Sequence, residues 1–283
     1  MTNKAIFYPT KGDRENPEGT APSFFKWLKD NPNNFSVWFP IITKLENQGI
    51  SIPQSVVILL SIEETKAFFF DEGEKDEKRI TDLVSQRIMP IIKEHFPEGD
   101  LFIKNGCFSN KFYFDKCCHV RYPFSEDDIQ KHLCQIQYDS LCFDTCGAME
   151  IVIREYIKAE NSSVGVIYDG MPLRPEIRIF YDFDNHRLYY DVNYWDWNYC
   201  HEAIAGRSEE DKINYENEYP HMMKKFISRR EKYLPLIEKS LATVTGLKGQ
   251  WSVDFMLDED KCWLIDMAIA SQSAHYDPEK MNQ

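Results

Sequence analysis

Hydrophobic and polar positions alternate most cleanly between Trp251 and Ala270, and that stretch, WSVDFMLDEDKCWLIDMAIA, predicts two short strands joined by an acidic turn. In the first arm Trp251, Val253, Phe255 and Leu257 share one face and Ser252, Asp254 and Met256 the other; in the second, Cys262, Leu264, Asp266 and Ala268 lie together. With Glu259-Asp260-Lys261 as a three-residue connection, Asp254 falls opposite Asp266 with both side chains on one face. Opposed Cβ atoms in such a pair are roughly 4.5–5.5 Å apart. Two carboxylates that close repel and each is costly to bury alone, so a shared divalent cation is the natural remedy. An acidic pair at a solvated sheet margin is the alternative, and this stretch alone does not decide between them.

The same pattern predicts the remaining elements. Met1 to Asn34 is rich in Pro, Gly and polar residues, a loosely tied leading segment with a strand at Ala5 to Tyr8. Ser36 to Gln48 spaces Val37, Phe39, Ile42 and Leu45 as a short amphipathic helix, stopped by Gly49. A turn, GISIPQS, leads into the β-branched run Val56 to Leu60, and Glu63 to Phe70 fits a short helix. The charged run Asp71 to Arg79 reads as an exposed loop. Ile80 to Phe96 reads as a helix kinked or restarted at Pro90. Leu101 to Phe114, LFIKNGCFSNKFYF, reads as strand, Asn-Gly turn, loop and strand, with Lys104 ending the first arm and Lys111 opening the second. Two lysines around a glycine-containing loop with Ser109 and Asn110 can grip a polyphosphate, and a plain hairpin with exposed lysines fits equally well. Ser125 to Asp139 is a helix behind a Ser-x-x-Asp cap, and Met149 to Ile157 a buried strand.

Leu173 to Phe183 is a further strand with Arg174, Glu176 and Arg178 on one face and Ile177, Ile179 and Tyr181 on the other; the charged face is either solvated or lines a site. His186 to Trp195 pairs with it after Asp184-Asn185. Trp195 to Tyr199 is an aromatic crossover, Ser208 to Tyr219 is polar and exposed, and Tyr219 to Thr245 is helical up to Gly246.

Composition narrows the function. At 283 residues with 43% hydrophobic positions, the chain is long enough for one large or two ordinary folded domains. A formal net charge of -13 argues against generic binding to nucleic acid or anionic membrane, so any phosphate site must be a local cluster of cations, such as Lys104 with Lys111 or Arg174 with Arg178. No apolar run approaches the roughly 20 residues of a membrane span and no leader pattern opens the chain, so we expect a cytoplasmic protein. Its eight scattered cysteines are expected to be reduced thiols. Cys142 and Cys146 with His132 lack a second closely spaced Cys/His pair, which argues against zinc.

Taken in order, these segments resemble the ATP-grasp superfamily over Ser36 to Ser271, and its divergent branch that includes a eukaryotic translation-factor assembly protein and bacterial and viral relatives. GISIPQS resembles the exit from the first subdomain, LFIKNG…SNKF the lysine strand and phosphate-covering loop, EIVIREYI the adenine hinge, RPEIRIFYD the Glu-x-Arg strand, and WSVDFMLDEDKCWLIDMA the metal-binding hairpin. The resemblance implies an α+β fold of two subdomains holding a nucleotide between antiparallel sheets. The expected divisions are a pre-ATP-grasp region at 1–60, a lysine-strand subdomain at 61–157 and a C-terminal subdomain at 158–283.

It also implies roles. Lys104 and Lys111 would contact the α- and β-phosphates, Glu155, Tyr156 and Ile157 the adenine edge, with Glu176 also in the nucleotide site. Arg178 would neutralise charge at the γ-phosphate, Arg174 would lie near the acceptor, and Asp254 and Asp266 would hold Mg²⁺. The family's metal-binding asparagine falls at Ala268, which has no ligand atom, so Ser271 or Gln272 would have to reach in or a single metal would have to suffice. The implied function is ATP-dependent joining of a carboxylate, on a small molecule, peptide or protein, to an amine through an acyl-phosphate. The alternatives are an ATP-binding assembly or interaction protein without turnover, and a kinase-like transferase that stops at the phosphorylated acceptor.

Overall fold

The structure, a computed structural model, describes residues 4–14, 22–69, 73–142, 147–159 and 165–282. In chain order its elements are β1 (Ala5–Tyr8), α1 (Pro22–Asp30), α2 (Phe35–Ile42), β2 (Ser55–Leu59), α3 (Ile62–Phe69), α4 (Glu74–Leu83), α5 (Met89–His95), β3 (Leu101–Asn105), α6 (Phe114–Cys117), β4 (His119–Val120) and α7 (Glu126–Cys142). There follow β5 (Glu150–Glu155), β6 (Val166–Ile167), β7 (Met171–Pro172), β8 (Glu176–Asp182), β9 (Arg187–Asn193), α8 (Trp197–Ala205), α9 (Glu209–Leu241), β10 (Gln250–Leu257) and β11 (Cys262–Ile269). The expected α+β class, with mainly antiparallel sheets, is what forms.

The chain forms two compact units. One comprises Met1–Val37 with Gln54–Tyr156, the other Trp38–Pro53 with Ile157–Gln283. The first holds a five-stranded sheet in the order β1-β2-β5-β3-β4, parallel only between β1 and β2. Register sorts its side chains onto two faces. Val56, Ile58, Leu101, Ile103, Ile151 and Ile153 point into an apolar core shared with Ile80, Leu83, Ile88, Ile92, Ile129 and Leu133 of the helices. Each fully buried aliphatic side chain contributes roughly 1.5–3 kcal/mol, so this face fixes the strand register. The opposite face carries Lys104 and Arg154, free of that constraint.

The second unit holds the four-stranded antiparallel sheet β11-β10-β8-β9. Its apolar face, with Ile177, Ile179, Tyr181, Val253, Phe255 and Leu257 all fully buried, packs on α9, whose Met222, Phe226, Tyr233 and Ile237 are buried in turn. The other face holds Glu176, Arg178 and Asp254.

Several elements differ from the sequence reading. The charged run is helical from Glu74, its Asp76 buried against Arg79 at 3.2 Å; residues 70–72 lie outside the described set. A π-helical stretch, Val84–Ile88, joins α4 to α5, so the missing N–H of Pro90 is absorbed by a local change of winding. The leading segment is tied down by α1, with Phe25 and Leu28 buried. Val37 is exposed while Trp38 takes its place inside, and the helix tightens into a 3₁₀ turn at Thr43–Gln48 before Gly49, whose φ of 91° ends it. Lys111 begins a 3₁₀ turn, Lys111–Tyr113, that runs into α6, and no strand starts there. Ser208 caps one unbroken 33-residue helix that passes through both Pro220 and Pro235.

Candidate functional site

The site is best built outward from the β10–β11 hairpin. Asp254 does lie directly opposite Asp266, but not by the route expected. Leu257 pairs with Cys262, which leaves a four-residue loop; Phe255 pairs with Leu264, and the register then shifts so that Asp254 meets Asp266. Ile265 is the extra residue of a β-bulge. It also corrects the faces: Cys262, Leu264 and Met267 line the buried side, whereas Trp263, Asp266 and Ala268 oppose Met256, Asp254 and Ser252. An even loop and one bulge together give the register that an odd loop would have given alone.

β8 supplies the counter-charge. Arg178 pairs in register with Asp254 and grips it bidentately, Nε to Oδ1 at 2.7 Å and Nη2 to Oδ2 at 2.7 Å, while Nη1 donates to the Ala274 carbonyl at 3.0 Å. Burial works against the guanidinium charge, but the neighbouring Asp254 carboxylate outweighs it, with Tyr194 and Asp266 adding to the effect, and the pKa is raised. Glu176, buried two residues earlier on the same face, brings the count there to three carboxylates and one guanidinium. Among the described residues no three Asp, Glu, His or Cys side chains converge as a metal-binding group, both Asp254 oxygens accept from Arg178 and Asp266 Oδ1 accepts the Met267 N–H at 3.0 Å, so a divalent cation would rest on the remaining lone pairs of the facing Asp254 and Asp266 alone. The register places Ala268 opposite Ser252, so the hairpin presents no amide there, and Ser271 and Gln272 are exposed in the 3₁₀ turn that follows.

Arg174 is not on the strand. It donates to the Ile157 carbonyl at 2.7 Å and to Asp258 of the hairpin loop at 2.6 Å, and Asp258 in turn accepts from the Trp263 indole at 3.0 Å. Its partners hold the hairpin loop, and they are not those of the Arg178 cluster.

In the first unit Lys104, though only 1% exposed, stands on the face opposite the apolar core. Its ammonium lies 5.7 Å from the Phe35 ring, and the buried Arg154 guanidinium lies 5.3 Å from the same ring while donating to Ser55. Burial leaves the Cys118 thiol raised to about 12 even though Lys111 and, more weakly, Lys104 act to lower it. At the expected adenine hinge the Glu155 carboxylate accepts from the Gln54 N–H at 2.7 Å, the Tyr156 N–H donates to the Asp100 carbonyl at 3.1 Å, and the Tyr156 ring packs 4.3 Å from His119.

Reasoning from sequence missed several neighbours. Arg154 was legible as the residue two beyond Val152 on one face of β5. Glu150, on that same face, accepts the Ser36 N–H at 3.1 Å, and burial raises its pKa. Tyr194 and His275 carried no pattern. The Tyr194 ring stacks 4.7 Å from the Arg178 guanidinium, and His275, at φ 65°, sits beside it with Nε2 3.1 Å from the Tyr194 carbonyl. Burial lowers the His275 pKa and the Arg178 charge adds to the effect, against the Tyr194 hydrogen bond. Of the zinc candidates, Cys142 is exposed and Cys146 lies outside the described residues.

Neither a protein-family model nor a curated protein matches the chain. Solved structures do. Cdc123 from Schizosaccharomyces pombe is similar over 90% of this chain and 92% of its own, at 18% identity and a TM-score of 0.54. Its C-terminally truncated form covers 90% and 93%, at 16% identity and a TM-score of 0.53. The fold is similar to that of Cdc123. The D-alanine–D-alanine ligase from Bacillus anthracis matches at a TM-score of only 0.37, with 11% identity over 88% of this chain and 61% of the ligase. At these identities the likeness is one of fold alone.

Proposed function

We propose that the protein binds ATP with Mg²⁺ and uses it to join a carboxylate, on a small molecule, peptide or protein, to an amine. The observation that carries this reading is the Glu176, Arg178, Asp254 and Asp266 cluster, a face whose carboxylates outnumber its guanidinium by two. Asp254 and Asp266 would hold the metal, which when bound neutralises phosphate charge. Arg178, bonded to Asp254 and the Ala274 carbonyl, would neutralise charge developing on the transferred phosphoryl group, the role positioned cations serve in such reactions. Lys104 and Lys111 supply the cationic strand and loop for the remaining phosphates, with Arg154 alongside Lys104. Glu155, Tyr156 and Ile157 remain the proposed adenine contacts, and Arg174 the proposed acceptor neighbour.

Mg-ATP at a hundredfold above its dissociation constant should stabilise the fold by roughly 2.7 kcal/mol. No rise in melting temperature with millimolar Mg-ATP would remove the reading. Asp254→Asn should abolish ADP release elicited by a pool of free-carboxylate peptides with glycine amide as the amine, and Ala268→Asn should leave it equal or greater.

A second reading, an ATP-binding assembly or interaction protein without turnover, is favoured by Ala268, whose side chain carries no ligand atom. On that reading Mg-ATP still stabilises the protein, no acceptor elicits ADP, and Asp254→Asn only weakens the nucleotide.

A further inference from the structure

The loop between Lys104 and Lys111 is tethered at both ends to one helix. At its start Asn105, fully buried, accepts the Cys107 and Phe108 N–H groups at 2.9 and 2.6 Å through its side-chain oxygen, and its amide points to Gln137 of α7 at 3.5 Å. At its end Asn110, equally buried, caps the 3₁₀ turn by accepting the Phe112 N–H at 3.2 Å and donates its amide to Asp139 of α7 at 2.6 Å. Asp139 accepts twice more, from Gln135 at 2.9 Å and from the Cys117 thiol at 3.3 Å, so its buried carboxylate is held by three neutral donors. That choice of residue is costly, because an ionised carboxylate is expensive to bury without a cationic partner. An asparagine would not replace it, since one of its two ends would set an N–H against the N–H of Asn110 or Gln135. The acid is needed because every group converging on it donates.

Lys111 follows Asn110 directly, and its N–H is bonded to the Ser109 carbonyl at 2.8 Å, so the lysine leaves the backbone from a turn whose geometry Asp139 sets. The geometry points to Asp139 as a positioning residue that acts through Asn110 to present Lys111 to the nucleotide phosphates, an assignment that rests on the Mg-ATP reading above. It touches no ligand itself. It removes freedom from the loop before the nucleotide arrives, and a loop ordered in advance costs less to bind with.

A double-mutant cycle on the full chain, with Mg-ATP affinity measured by calorimetry, tests this. Asp139→Ala should weaken Mg-ATP about tenfold, well inside the coupling range of residues sharing one network. In the Lys111→Ala background the same change should weaken it less than about twofold, because the group it positions is gone. Asn110→Ala severs the link from the other end and should give the same non-additivity; it carries the test if Asp139→Ala does not fold. Equal losses in both backgrounds would make Asp139 merely structural and overturn the assignment, as would unchanged affinity in Asp139→Ala. Wild-type protein that fails to bind Mg-ATP would instead overturn the function on which the assignment rests, a result distinguishable at the first titration.

Discussion

Asp254 and Arg178 are each nearly enclosed, and each is the other's principal compensation. Removing one partner of such a pair leaves a charge without its counterpart in a low-dielectric setting, which costs roughly 3–5 kcal/mol. Arg178→Met should therefore cost far more, measured by urea denaturation, than the double change Arg178→Met with Asp254→Leu, in which no uncompensated member of the pair remains. A histidine beside them makes the same environment sensitive to acid. His275 is held neutral by burial among Tyr194, Tyr199, Arg178, Asp254 and Asp196, so its folded-state pKa lies below the ordinary 6.5. Between those two values the unfolded chain binds more protons than the folded one, so the stability it contributes is full above 6.5 and is lost as pH falls through the folded value. Melting temperature should drop between pH 7.5 and 5.5, and drop less in His275→Asn, a substitution that also tolerates the left-handed backbone at that position.

At the scale of elements, the strands were legible because one face of each sheet is apolar, and a period of two leaves little ambiguity about which residues share it. Asp254, Glu176 and Arg178 were found that way. Asp266 was found too, with the wrong loop length, because a bulge leaves no mark in the hydrophobic pattern when it falls between Leu264 and Met267, both of them buried. Helices were harder. Pro220 broke the pattern of α9 for a reader of propensities, although the Ser208 hydroxyl accepting from the Asp211 N–H at 2.9 Å is an ordinary cap and was visible in the letters. The charged run Asp71 to Arg79 read as an exposed loop, yet acidic residues in the first turn of α4 suit a helix N-terminus. His275 and Tyr194 could not be read at all, since they meet Arg178 only through tertiary folding. One close approach gives a sharp test of the lysine strand. A Cβ at Gly106 would lie 2.3 Å from Glu150 Oε1, beneath the carboxylate that holds the Ser36 N–H. Gly106→Ala should destabilise by about 1–3 kcal/mol, the range for overpacking a filled site, as read from the denaturant midpoint.

For the whole molecule, the seven described cysteines, Cys107, Cys117, Cys118, Cys134, Cys142, Cys200 and Cys262, are all thiols. Alkylation of unreduced native protein followed by mass spectrometry should show Cys142 modified first, because it is exposed, and Cys117, Cys118 and Cys262 last, because burial both shields them and holds their thiols protonated. A disulfide among these seven would overturn the expectation of a reducing compartment. Among the described residues no helix is long and apolar enough to cross a membrane.

The two units are not laid end to end along the chain. Residues 38–53 belong with residues 157–283, so the second unit is interrupted by most of the first. During synthesis from the N-terminus the first unit has all its parts once Tyr156 has emerged, whereas Trp38, Phe39, Ile42 and Leu45, each almost wholly enclosed in the finished protein, have not yet met their partners. Those partners arrive late. The Ser51 N–H bonds the Cys262 carbonyl at 2.7 Å and the Leu264 N–H bonds the Ser51 carbonyl at 3.0 Å, a bridge that cannot form until the β10–β11 hairpin itself has been made. A nascent chain thus carries an exposed apolar segment across some two hundred residues of translation, the kind of surface on which chaperones act. β11 completes both the Asp254–Asp266 pair and the bridge to Ser51, so nascent chains stopped short of it would lack the two together.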